Sequence, residues 1–135
     1  MLVSRRTERC PGPDAPGVTV LRPEGDLDAL KAPEIRRAVL ALPPGARLVV
    51  DLGATAFIDS VGVGLLIGAW RTVVAHGGSV VLAGPRPPVA RVLQVTGVME
   101  VIPVVDAAAE AVRLPVGRVP PPRSERIAIT SLTKG

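Results

Sequence analysis

Short β-rich runs alternate with longer helical patterns along the centre of the chain. Branched aliphatic residues predict four strands, at 18–21, 48–52, 80–82 and 101–105. Three helical patterns alternate with these runs, and a last short helix is predicted at 107–112. Strands separated by helices require crossover connections, so the pattern predicts an α/β fold with a small, mostly parallel sheet covered by helices. One antiparallel pairing is expected, between the short strands on either side of Pro23.

The second helical pattern is the longest and the most apolar. It is predicted to begin near Ser60 or Val61 and to end at about Ala75, before a histidine and two glycines. Its apolar residues fall on more than one face, so the helix is either largely buried or partly an interface. The first pattern follows residues 25–28 and ends before two prolines, and the third opens at two prolines and ends at Gly97.

The two ends of the chain differ from its centre in composition and charge. Residues 1–16 and 115–135 are rich in proline and lack periodicity, which predicts a flexible leader and a flexible basic tail around one domain at 17–114. The net charge of +4 comes from these ends, because 17–114 holds nine basic and nine acidic side chains. A neutral body with only two aromatic residues argues against direct binding to nucleic acid.

Composition also bears on the compartment and on bound groups. No apolar run reaches the roughly 18 residues that would span a bilayer, and the first residues lack the apolar core of a secretory signal. The single cysteine, Cys10, has no partner for a disulfide or a thiolate metal site. We therefore expect a cytoplasmic protein without membrane insertion, and neither a cofactor nor a metal ion is predicted.

The octapeptide at 57–64 is the best candidate for a site, because it joins an apolar run, a polar turn and a glycine-rich helix start. Gly62, Gly64 and Gly68 do not match the spacing of a dinucleotide or P-loop motif, so they are interpreted as positions of close helix packing. Nucleophilic catalysis by Ser60 lacks a base, since His76 would lie roughly 24 Å away along the helix. Asp59 or Ser60 could simply cap the helix, or the turn could be a recognition surface.

Several segments together resemble a STAS domain of the anti-sigma factor antagonist type. The resemblance covers about 17–113 and is carried by five segments in this order: Gly-Asp-Leu-Asp at 25–28, Ala-Pro-Glu-Ile-Arg at 32–36, Leu-Val-Val-Asp-Leu at 48–52, Phe-Ile-Asp-Ser-Val-Gly-Val-Gly-Leu-Leu at 57–66, and Val89 with Arg-Val-Leu at 91–93 and Thr-Gly at 96–97. It implies a regulatory binding module rather than an enzyme.

The resemblance implies a partner and a switch. Antagonists of this type bind an anti-sigma factor, commonly a serine/threonine kinase of the histidine-kinase-like ATPase fold, and so release a sigma factor. The kinase phosphorylates a Ser or Thr at the third position of an Asp-Ser-Ser/Thr-Gly motif, and that position is Val61 here. Ser60 is a candidate substitute acceptor. The implied partner-binding residues are Asp59, Ser60, Val61, Gly62, Val63 and Gly64.

Two other functions stay open at this point. The same fold could serve as a scaffold in a stressosome-like assembly or as an accessory subunit of a transport ATPase. A small nucleotide-binding enzyme is the third hypothesis, and it predicts a nucleotide-dependent rise in melting temperature.

Overall fold

The computed structural model describes residues 3–8 and 17–113. The strands are β1 (Val3–Glu8), β2 (Val18–Pro23), β3 (Gly25–Leu27), β4 (Arg47–Asp51), β5 (Thr55–Ile58), β6 (Ser79–Ala83) and β7 (Val104–Val105). The α-helices are α1 (Ala32–Leu40), α2 (Ser60–Ala75), α3 (Pro87–Val95) and α4 (Ala108–Arg113), and short 3-10 turns lie at Ala29–Lys31 and Val98–Glu100. Cys10 and the predicted tail at 115–135 lie outside the described residues.

A five-stranded mixed sheet forms the centre of the fold, in the order β1-β2-β4-β6-β7. Strands β2, β4, β6 and β7 run parallel to one another, whereas β1 pairs antiparallel with β2. The remaining two strands, β3 and β5, form a separate parallel pair. The predicted α/β class, with a mostly parallel sheet covered by helices, is confirmed.

Side chains on the two faces of the sheet enter two separate clusters. On β4, Leu48 and Val50 join the larger cluster with residues of α1, α2 and α3. Val49, between them, faces the smaller cluster that α4 covers. All five residues of β4 are buried because helices lie on both faces, as expected for a central parallel strand.

Three predictions about strands are wrong. Residues 3–8, assigned to a flexible leader, form the edge strand β1. The strands on either side of Pro23 do not pair with each other, because β3 leaves the main sheet and pairs with β5. The predicted strand at 101–105 is limited to Val104–Val105, because its first residues follow a 3-10 turn. The first two errors concern pairings between distant segments, and the third concerns a local turn.

The observed helices agree more closely with the predicted ones than the strands do. Helix α2 spans Ser60–Ala75, as predicted, and α1 has a proline in its first turn. The expectation that α2 is apolar on more than one face is met, since Leu65, Leu66 and Val73 are buried while Val74 is 44% exposed. Within the described part of the chain, no helix is both long and apolar enough to cross a membrane.

Candidate functional site

The turn between β5 and α2 carries the candidate site. Asp59 has an extended backbone and is the N-cap of α2, and its Oδ1 accepts a hydrogen bond of 2.9 Å from the Gly62 amide. Its main-chain oxygen accepts from the Val63 amide, also at 2.9 Å. The carboxylate therefore satisfies one of the unpaired amides of the first turn, at the end where the helix dipole favours an anion. Helix capping alone accounts for an aspartate at this position.

Gly62 packs the first turn of α2 against strand β3. A Cβ atom added at this glycine would lie 2.7 Å from Cγ1 of Ile58 and would collide with the main-chain oxygen of Leu27. Leu27 and Ile58 are paired across β3 and β5, and both are buried. Close packing by a glycine, predicted from the sequence, thus occurs at Gly62, and it fixes the position of the turn.

The β3–β5 pair is itself fixed to the rest of the fold. The buried hydroxyl of Thr55 donates a 3.0 Å hydrogen bond to the main-chain oxygen of Pro23. The Gly25 amide donates to the oxygen of Ala54, also at 3.0 Å. Gly25 has a φ of 74°, a left-handed conformation that glycine adopts without steric cost. These bonds give the turn a rigid base on the sheet side.

The six predicted site residues divide into an exposed set and a packing set. Ser60 and Gly64 are exposed, and Val61 is 42% exposed. Gly62 is buried, and Val63 is partly buried against the core. The turn therefore presents an apolar side chain and a hydroxyl at the start of a helix.

Phe57 belongs with this surface, although it was not among the predicted site residues. Its side chain is 53% exposed, whereas its neighbour Ile58 is buried. Strand alternation provided a signal, because adjacent residues of β5 face opposite sides and Ile58 is aliphatic and precedes the helix cap. An exposed aromatic next to the turn adds to the apolar area that a partner could bury.

The other two glycines of α2 do not pack closely against anything. An added Cβ at Gly64 or Gly68 would meet no atom within 4 Å. The interpretation of these two positions as sites of close packing is therefore wrong. They lie on the exposed side of the helix, where a side chain would have had room.

The remaining candidates for chemistry are engaged in structural bonds. The carboxylate of Asp51 forms a 2.7 Å ion pair with Arg22 and accepts a 2.9 Å hydrogen bond from the Gly53 amide. His76 ends α2, and its Nδ1 lies 2.7 Å from the oxygen of Thr72. Within residues 3–8 and 17–113, no group of three or more metal-ligating side chains could hold an ion.

The family model of the STAS domain matches residues 13–111. The chain belongs to the STAS domain family. An anti-sigma-B factor antagonist from Listeria monocytogenes is 28% identical over 88 residues, which cover 64% of this chain and 77% of that protein. The anti-sigma-B factor antagonist of Bacillus subtilis is 30% identical over 79 residues, covering 58% and 72%. The crystal structure of an anti-sigma factor antagonist from Mycobacterium paratuberculosis has a TM-score of 0.60 at 28% identity, and covers 81% and 90%.

These relatives confirm the resemblance that the five segments indicate. The family match includes the whole β5–α2 turn, so the exposed residues described above lie inside the STAS domain. In the described residues, the turn combines a capping aspartate, an exposed hydroxyl and an exposed apolar side chain.

Proposed function

We propose that this STAS protein is an anti-sigma factor antagonist, which binds an anti-sigma factor and so releases a sigma factor. The observation that carries the proposal is the exposed apolar side chain of Val61 at the start of α2, four residues after the exposed Phe57, in a chain similar to proteins with that role. Exposed apolar area on a rigid base is typical of a protein-binding surface.

The partner is proposed to be an anti-sigma factor of the kinase type, and this antagonist lacks the usual phosphorylation switch. A phosphate would add about −1.5 to −2 charges at a surface where the partner packs closely. Val61 stands at the acceptor position of the motif and has no hydroxyl. Ser60 is exposed but precedes it by one residue, which turns a side chain by about 100° around a helix. The protein would thus stay competent to bind in the presence of ATP.

A binding panel tests the proposed partner. Kinase-type anti-sigma factors are titrated with the wild-type chain, with Val61→Asp, and with Val95→Asp as a matched control. Val95 is 78% exposed on α3, so the control places the same charge on another helix. We expect the wild type and Val95→Asp to bind alike and Val61→Asp to bind about tenfold to a hundredfold more weakly, since it places a buried charge in the contact.

Two results would contradict the proposal. If the wild type binds no anti-sigma factor of the panel, the function is wrong. If Val61→Asp and Val95→Asp bind with the same affinity as the wild type, the partner docks elsewhere on the domain. Circular dichroism of each variant shows whether the fold is retained.

A further inference from the structure

A groove runs along the surface between α1 and α2, next to the β5–α2 turn. It consists of a cavity of about 270 Å³ and a second one of about 110 Å³. Val39, Leu40 and Thr72 line both, so the two cavities are neighbours along the same pair of helices. The walls are mainly apolar, and Leu40 on the rim is 75% exposed. We call this feature the α1–α2 groove, and its α2 side extends from Gly64 to His76.

The groove is as long as a short helical segment of a partner. From Gly64 to His76 the helix rises roughly 18 Å, which is the length of about three helical turns. Gly64 and Gly68 leave this side without side chains, so another backbone can approach α2 closely. Each exposed glycine inside a helix costs about 1 kcal/mol relative to alanine, and no contact in the described residues compensates for it. Gly64 and Gly68 are therefore not required for packing of the core, and they leave the surface of α2 open to a partner.

The charged side chains at the groove are arginines. Helices α1 and α2 carry Arg36, Arg37, Arg71 and the acidic Glu34, and of these four only Arg36 lines a cavity. Among the residues that the structure describes, none of these four forms an ion pair. Arg36 lines the groove, and Arg71 is exposed one helical turn beyond Gly68. An acidic partner segment would be attracted to this rim.

We infer that the α1–α2 groove receives an amphipathic helix of the anti-sigma factor, with an apolar stripe against Gly64 and Gly68 and acidic residues against Arg36 and Arg71. The inference rests on the proposed function and extends its binding surface. Because Gly64 belongs both to the 59–64 turn and to the groove, one partner can cover both. Helix-in-groove recognition uses apolar residues at i, i+3 or i+4, and i+7, which suits a groove of this length.

Filling the groove is the first test. Gly68→Leu places a side chain into the groove. Val74→Leu places a leucine at an exposed position of α2 that lines neither cavity and lies about 120° around the helix from Gly68. Both substitutions are compatible with folding, because leucine favours a helix and both positions are exposed. For the anti-sigma factor that the wild type binds in the panel, we expect Gly68→Leu to raise the Kd about twentyfold or more, and Val74→Leu by less than about threefold.

Reversing the rim charge is the second test. Arg36→Glu changes a groove residue, and Arg37→Glu makes the same change about 100° further around α1, away from the groove. We expect Arg36→Glu to raise the Kd about tenfold at low salt and less at high salt, because exposed charges are screened. Arg37→Glu is expected to stay within about threefold of the wild type. Exchanging an acidic residue of the partner helix for lysine should then restore binding to Arg36→Glu.

The outcomes separate this inference from the proposed function. If the wild type binds but the groove and control variants bind equally well, the groove is not used, while the proposed function stands. If the wild type binds no anti-sigma factor, both are overturned. If Gly68→Leu changes only the self-association of the chain in sedimentation experiments, the occupant is a second copy, and the inference is wrong.

Discussion

Gly62→Ala is expected to destabilise the domain by about 3 kcal/mol or more, at the upper end of the range for overpacking in a core. The new methyl group would collide with the main-chain oxygen of Leu27 and would lie 2.7 Å from Cγ1 of Ile58. Neither contact can be relieved by a simple rotamer change, because one atom belongs to the backbone and the other to a buried side chain. Chemical denaturation measures the loss as a lower midpoint at an unchanged slope.

Gly64→Ala is the matched control, two residues further along the same helix. An added Cβ there meets no atom within 4 Å, and alanine has the higher helix propensity. We expect this variant to be as stable as the wild type or up to about 1 kcal/mol more stable. Equal destabilisation by the two substitutions would show that close packing of α2 on β3 does not hold the turn in place.

Val61→Ser is expected to convert the protein into a substrate of a kinase-type anti-sigma factor. It would place a hydroxyl at the motif position where antagonists of this type are phosphorylated, on a side chain that is 42% exposed in the wild type. After incubation with the kinase and ATP, intact mass spectrometry should find one phosphate per chain. Binding should then weaken, because the added charge lies in the contact with the partner.

Two further variants locate the modified residue. Val61→Ala shortens the side chain without adding a hydroxyl and should remain unmodified. Adding Ser60→Ala to Val61→Ser should leave the labelling intact if residue 61 is the acceptor. Labelling that disappears when Ser60→Ala is added, in Val61→Ser or in the wild type, would show that Ser60 is the acceptor.

The parts of the fold that local chemistry determines could be predicted from the sequence. The start of α2 follows from an aspartate that caps it, and its end from the glycines at 77 and 78, of which Gly77 has a φ of 79°. The buried run of β4 was likewise evident from its aliphatic residues. Such signals depend on neighbours within a few residues, so they can be recognised without knowledge of the tertiary structure.

The pairings of the short strands could not be predicted in the same way. Strand β3 has three residues and pairs with β5, whose partner residues lie about 30 positions further along the chain. Strand β1 is polar apart from Val3, so its sequence lacks the apolar pattern that indicates a buried strand. It lies at the edge of the sheet. Sequence periodicity reports which face is buried, but not which distant segment provides the hydrogen bonds.

The candidate site shows the same division. The sequence limited the cap to Asp59 or Ser60, of which Asp59 is the cap, and it indicated the close packing at Gly62, because both features depend on the turn itself. It gave no sign that Gly68 faces open space or that α1 and α2 enclose a groove, since both facts depend on how the helices pack.

Titration of the wild-type chain into a kinase-type anti-sigma factor, with and without magnesium and ATP, tests the central claim most directly. Calorimetry gives the Kd under each condition, and intact mass spectrometry of the same samples gives the phosphate content. We predict binding with an affinity that prolonged incubation with ATP does not abolish, and no phosphate on the chain. One phosphate per chain, together with loss of binding, would contradict an antagonist that lacks the phosphorylation switch at Val61.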